Sequence, residues 1–185
     1  MGLRKMLTVK IPACEYYDSE KDEFLYTKEQ TLKLEHSLLS IAKWEERWEK
    51  PFLKEDEKSP EEYVDYIRCM TITQNVDPLI YRHLPKEVIN QIGDYIDKKM
   101  TATWFREDQT KRPNKEIVTA EVIYYWMFSY GIPLDFQKVH LNKLMTLIRV
   151  FSEKNSPPNK MSRNEIYAQQ RKLNAMRRKQ HGKRG

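Results

Sequence analysis

Apolar residues in this chain recur every three or four positions over five long stretches, a period that an α-helix turns into one buried stripe. The first stretch runs Leu34, Leu38, Ile41, Trp44 and Trp48 with charged residues between them, and predicts a helix over 34–50 that closes at Pro51. Only 5 of the 185 residues are glycine, too few for Gly-rich phosphate loops or for the turn density of an all-β sandwich. With 39% hydrophobic and 11% aromatic residues, the chain has the apolar material to bury one core.

The remaining helices announce their starts. Ser59-Pro60-Glu61-Glu62 supplies an N-cap serine, a proline at the first helical position and the glutamate of a capping box, so a helix is expected over 59–71 with Tyr63, Ile67 and Met70 on one side. Asp77-Pro78 opens a short turn, and Pro85 opens a helix over 85–98 with Val88, Ile92, Tyr95 and Ile96 as its apolar positions. After a polar loop over 107–115, the segment 115–130 is apolar on most of its circumference and is expected at the centre of the core, ending at Gly131. A helix over 134–153 then carries Phe136, His140, Leu144, Leu147 and Phe151, widened by Leu141, Met145 and Ile148.

Ahead of the helices, Met6–Pro12 and Glu23–Thr27 read as strands of a hairpin joined by the polar stretch 18–22, with a third extended piece at Thr31–Leu34. The expected fold is mainly α (α+β): a helical core with a small N-terminal β-hairpin or three-stranded sheet and a basic C-terminal helical arm. The corresponding organisation is a β element over 1–34, a core over 35–156 and the arm over 157–185.

The arm stands apart by charge. From Lys160 to Arg184 there are nine basic residues and one acid, Glu165, a local charge of +8 in a chain whose formal total is +6, so the rest carries −2. Asn155-Ser156-Pro157-Pro158-Asn159 cannot continue a helix and reads as a spacer. Beyond it, Ser162 and Glu165 repeat the capping-box pattern, and Ile166, Leu173 and Met176 form an apolar line too thin to hold a helix on a core unaided. That line and the cations Arg171, Lys172, Arg177 and Arg178 are candidate partner-binding residues; phosphate contact and a solvated tail are the competing readings. Tyr167 alone is aromatic there, which gives base stacking little to work with.

Nothing in the sequence assembles a catalytic centre. His36, His83, His140 and His181 lack a second His or Cys at metal-ligand spacing, and His140 on its apolar stripe is most simply a hydrogen-bonded core residue. Cys14 and Cys69 form no CxxC pair and are expected as reduced thiols, and no nucleophile elbow, Walker or dinucleotide pattern is present. No cofactor or metal is expected. No apolar run approaches the roughly 18 residues that span a bilayer, and no signal core follows the first basic residues, so the chain is expected to remain in the cytosol without a membrane partner. Trp44, Trp48 and Phe52, set among charges, suit either a core helix with a solvated back or a partner-binding anchor, and the core reading ranks first.

The blocks Leu34–Leu38, Lys43-Trp44, Lys50–Leu53, Asp65–Pro78, Ile123–Trp126, His140–Arg149 and Ala175–Gly185 together resemble a family of small proteins from the tail-assembly region of long-tailed phages and prophages, similar to tail assembly chaperones. The resemblance covers most of the chain and transfers no catalytic or binding residue. It implies a non-enzymatic helper in the host bacterial cytoplasm that binds the tape-measure protein, keeps it soluble and brings tail tube protein to it. The other classes it leaves open are a virion structural or adaptor protein of the tail or head-tail connector, and a nucleic-acid-binding phage protein.

Overall fold

The computed structural model of the chain describes residues 5–18, 22–54, 56–105, 116–155 and 163–181. It divides into two compact units, Met1–Phe151 and Ser152–Gly185. Among the described residues four antiparallel strands precede seven α-helices, so the fold is α+β with a helical core.

Strands β1 (Leu7–Ile11), β2 (Cys14–Asp18), β3 (Glu23–Thr27) and β4 (Gln30–Leu34) pair as β1 with β4 and β2 with β3. One register runs through both ladders, Leu7 opposite Leu34, Ile11 opposite Gln30, Cys14 opposite Thr27 and Asp18 opposite Glu23. The strands are thus one long hairpin, interrupted where Pro12 has no N–H to offer the ladder. This corrects the expected pairing of Met6–Pro12 with Glu23–Thr27: the aromatic stretch Glu15-Tyr16-Tyr17 lies in an additional strand that pairs with β3. In β1 and β4 the alternation is clean, with Val9, Ile11, Leu32 and Leu34 buried and Thr8, Lys10, Thr31 and Lys33 exposed.

Helix α1 (Leu38–Trp48) starts later than its periodicity predicts because Leu34 is claimed by β4 and the next residues pair outward. The Glu35 N–H donates to Met70 O at 2.9 Å and the Ile72 N–H to Lys33 O at 2.8 Å. Helix α2 (Pro60–Met70) has the capping box that its sequence specifies: the Glu62 N–H donates to Ser59 Oγ at 3.2 Å and the Ser59 N–H to Glu62 Oε2 at 2.8 Å. Helix α3 (Pro78–Arg82) is capped by the Asp77 carboxylate, which accepts the Leu79 N–H at 2.9 Å, and α4 (Lys86–Ile96) buries Val88, Ile92 and Tyr95.

Two expectations about the later helices are overturned. Helix α5 (Ala120–Ser129) buries only Ala120, Ile123 and Met127, while Tyr125 and Phe128 are 68% and 64% exposed and Trp126 is half-buried. A ten-residue helix that packs chiefly on α1 covers one stripe, so α5 lies at the edge of the core and not at its centre. The expected helix over 134–153 is broken. A 3-10 turn spans Leu134–Lys138, Val139 is extended, His140 bridges Ser37, and α6 (Leu141–Asn155) begins only then. The Leu141 N–H donates to His36 O at 3.0 Å, so pairing with the β4–α1 junction outcompetes helix continuity.

The core gathers Leu38, Ile41 and Trp44 of α1, Tyr66, Ile67 and Met70 of α2, Ile92 of α4, Ile123 and Met127 of α5, and Leu144 and Ile148 of α6 under the β1–β4 ladder. The second unit contains α7 (Arg163–His181). The spacer from Ser156 onward, the Ser162 cap and the loop over 107–115 lie outside the described residues.

Candidate partner-binding surfaces

Helix α7 contains strong helix formers from Ala168 to Met176 and almost no apolar surface to bury. Every residue from Ile166 to Arg178 is exposed. Ile166, Leu173 and Met176 are 43%, 50% and 60% exposed. Spacings of seven and three put these three on one stripe with Gln169, because a helix returns to the same face at such intervals. The same geometry separates the four candidate cations. Lys172 and Arg177 flank the apolar stripe on its two sides, whereas Arg171 and Arg178 lie on the far face beside Tyr167. One helix therefore presents two chemically distinct faces: an apolar line edged by charge, and a guanidinium face with one aromatic ring.

The three aromatic candidates of the body are placed differently. Trp44 and Phe52 are 1% and 9% exposed, with ring centroids 5.1 Å apart, and Phe52 in turn lies 4.1 Å from Tyr66. They are core residues and offer a partner no free ring, which corrects their candidacy as binding residues. Burial is fixed by polar ties: the Trp44 Nε1–H donates to Glu62 O at 2.9 Å and the Lys58 ammonium sits 4.5 Å over Phe52. Trp48 is half-buried, stacked 6.0 Å from Trp44, and its Nε1–H donates to Asp65 Oδ2 at 3.0 Å, an oxygen pair that Arg47 also engages. Lys50 pairs with Glu62 at 2.6 Å and, with the Ser59 N–H, holds that carboxyl below the usual carboxylate range.

Buried polar chemistry concentrates where β4 turns into α1. His36 Nδ1 lies 2.5 Å from the Tyr66 hydroxyl, the His36 N–H donates to the Tyr95 hydroxyl at 3.4 Å, and the Tyr95 hydroxyl donates to Lys5 O at 2.7 Å. His140 Nε2 is 2.9 Å from Tyr95 O, and the two imidazoles meet edge to face at 4.9 Å. Burial pushes His36 down to about 3, with the neighbouring His140 adding to the shift, and it lowers His140 as well, so both rings are neutral. Burial also pushes the Tyr66 hydroxyl up. A pair of neutral imidazoles sealed among tyrosines ties four elements together, and neither ring reaches solvent as an acid–base catalyst must. His140 is the hydrogen-bonded core residue that its stripe suggested; the role of His36 depends on residues 30 to 104 positions away and carries no local signal.

Cys14 and Cys69 are free thiols, the first exposed and the second buried, and burial pushes the Cys69 thiol up, away from the thiolate that a nucleophile needs. Cys69 lines an open cleft of about 580 Å³ with Lys43, Glu46, Arg47 and Arg68, where both charge signs are represented. Among the described residues no group of three or more His, Cys, Asp or Glu could hold a metal ion, and no helix is long and apolar enough to cross a membrane. No family model matches the chain, and no curated protein or solved structure matches it.

Proposed function

We propose that this chain is a non-enzymatic assembly chaperone of the phage tail, which uses α7 to bind the tape-measure protein and assists assembly of the tail tube around it. The observation that carries this reading is the exposure of Ile166, Leu173 and Met176 along one stripe of α7, which no described residue buries. An uncovered apolar line edged by Lys172 and Arg177 is the half-interface that an amphipathic partner helix with acidic flanks completes. The sealed histidine pair and the protonated Cys69 favour a binding protein over an enzyme. Partner selection then rests on charge and register along α7.

The test is co-expression of the full chain with the long helical tape-measure protein, followed by capture. The triple variant Ile166→Ser/Leu173→Ser/Met176→Ser keeps every charge and is expected to lose the partner. A nucleic-acid role draws instead on the Arg171 and Arg178 face. In that case the triple variant retains DNA affinity with a steep salt dependence, and protein capture fails for both forms. A virion component is told apart by mass spectrometry of mature particles, where a chaperone is absent and a structural subunit has a fixed copy number.

A further inference from the structure

The outer half of the hairpin displays an aromatic surface that neither the core nor α7's apolar line explains. Alternation places Glu15, Tyr17, Phe24 and Tyr26 on one face of β2–β3, with Tyr17 opposite Phe24 and Glu15 opposite Tyr26. The other face packs inward: Tyr16 stacks on His83 at 3.8 Å, and Thr27 is buried. On the outer face Tyr17, Phe24 and Tyr26 are 52%, 59% and 67% exposed, and the Tyr17 and Phe24 rings touch at 5.2 Å. Carboxylates mark its rim. Tyr17 donates to Asp22, and Tyr26 is hydrogen-bonded to Glu15. From Cys14 to Thr27 the sequence holds five acids and one lysine. Ring faces bordered by carboxylates suit guanidinium groups, which stack on the rings and pair with the oxygens at once.

We infer that this acidic aromatic face docks the guanidinium face of α7 from a second copy of the chain. The complement is written in the same sequence: Arg163–His181 has six Lys and Arg against Glu165 alone, and Tyr167, Arg171 and Arg178 share the face that the apolar line does not use. Arg171 and Arg178 stand about 10 Å apart along the helix, and Glu15 and Asp22 stand about 13 Å apart along the ribbon, a difference that the flexible arginine stems absorb. Helix-to-hairpin contact between copies is heterologous, so it either closes reciprocally into a dimer or continues from copy to copy. The apolar stripe faces away from this contact, and the inference stands independently of what that stripe binds.

Sedimentation velocity of the full chain over a concentration series tests it. At low ionic strength the average mass is expected to rise above that of one chain with concentration, and to return to it in about 0.5 M salt, where the Debye length is a few ångströms. Glu15→Lys/Asp22→Lys and Arg171→Glu/Arg178→Glu are each expected to stay monomeric alone. Mixing the two is expected to restore association, because each then offers the surface that the other lacks; a restored complex also shows that both variants fold. A monomer at every concentration overturns the inference. So does a mixture that fails to associate, or an association that Ile166→Ser/Leu173→Ser/Met176→Ser abolishes.

Discussion

The Glu45 carboxylate accepts the backbone N–H of Ala120 at 2.7 Å, across 75 positions of sequence. Its other oxygen accepts the Phe52 N–H, also at 2.7 Å, so one buried side chain satisfies the start of α5 and the chain leaving α1. Burial pushes the Glu45 carboxyl up while the two N–H donors pull it back. Glu45→Ala leaves both donors without a partner and is expected to cost about 2–4 kcal/mol. Glu45→Gln keeps one acceptor oxygen and is expected to cost about half as much. Urea denaturation midpoints read both values.

His36 sets a pH dependence with a definite sign. Its folded pKa is depressed to about 3 from an ordinary 6.5, so below pH 6.5 the unfolded chain takes up a proton that the fold refuses. The stabilisation is complete above about 6.5 and falls as pH drops toward 3, and His140, also lowered, acts in the same direction. Between pH 6.5 and 5, stability is expected to fall through His36 by up to about 1.4 kcal/mol per pH unit. His36→Gln should flatten this slope by close to one proton's worth, as measured from denaturation curves across the window.

Two tryptophans should separate by burial. Trp44, 1% exposed and bonded through its indole N–H, is expected to cost about 3–5 kcal/mol on change to alanine. Trp126, half-buried on peripheral α5, is expected to cost no more than about 2 kcal/mol. Equal shifts in thermal midpoint would contradict the placement of α5.

Two glycines should respond with opposite signs. Gly131 has φ +65° and ends α5, where the Ile132 N–H returns to Met127 O at 2.8 Å, so Gly131→Ala is expected to destabilise by about 1 kcal/mol. Gly93 sits inside α4 with nothing within 4 Å of an added Cβ, and Gly93→Ala is expected to stabilise by about 0.5–1 kcal/mol.

What was legible in the sequence is what neighbours along the chain decide. The Ser59–Glu62 box, the Asp77 cap and the Val88, Ile92 and Tyr95 stripe are set within one or two turns of helix, and each stands where its residues predict. The readings that failed depended on distant partners. Periodicity carried the first helix back to Leu34 and the last through His140, yet Thr71 and Ser37 claim those residues for strand-like pairing. Apolar composition suggested a central α5, but composition does not say how many neighbours a helix will have. Within α7 the apolar line was visible as spacing, whereas the division of its arginines between two faces required the helix to be drawn in three dimensions.

The segment from Lys33 to Ser37 is held on one side by Met70 and Ile72 and on the other by His140 and Leu141. A growing polypeptide makes these partners in order. The first set becomes available early, but the His36 carbonyl and the Glu45 carboxylate wait for donors at Leu141 and Ala120. Synthesis at about 5–20 residues per second therefore leaves α1 and α2 with an open flank for several seconds. During that interval Ile41, Ile67 and Met70, which the finished protein seals completely, face the surroundings of the ribosome. Until Ala120 and Leu141 have emerged, this apolar flank of α1 and α2 has no later helix to cover it.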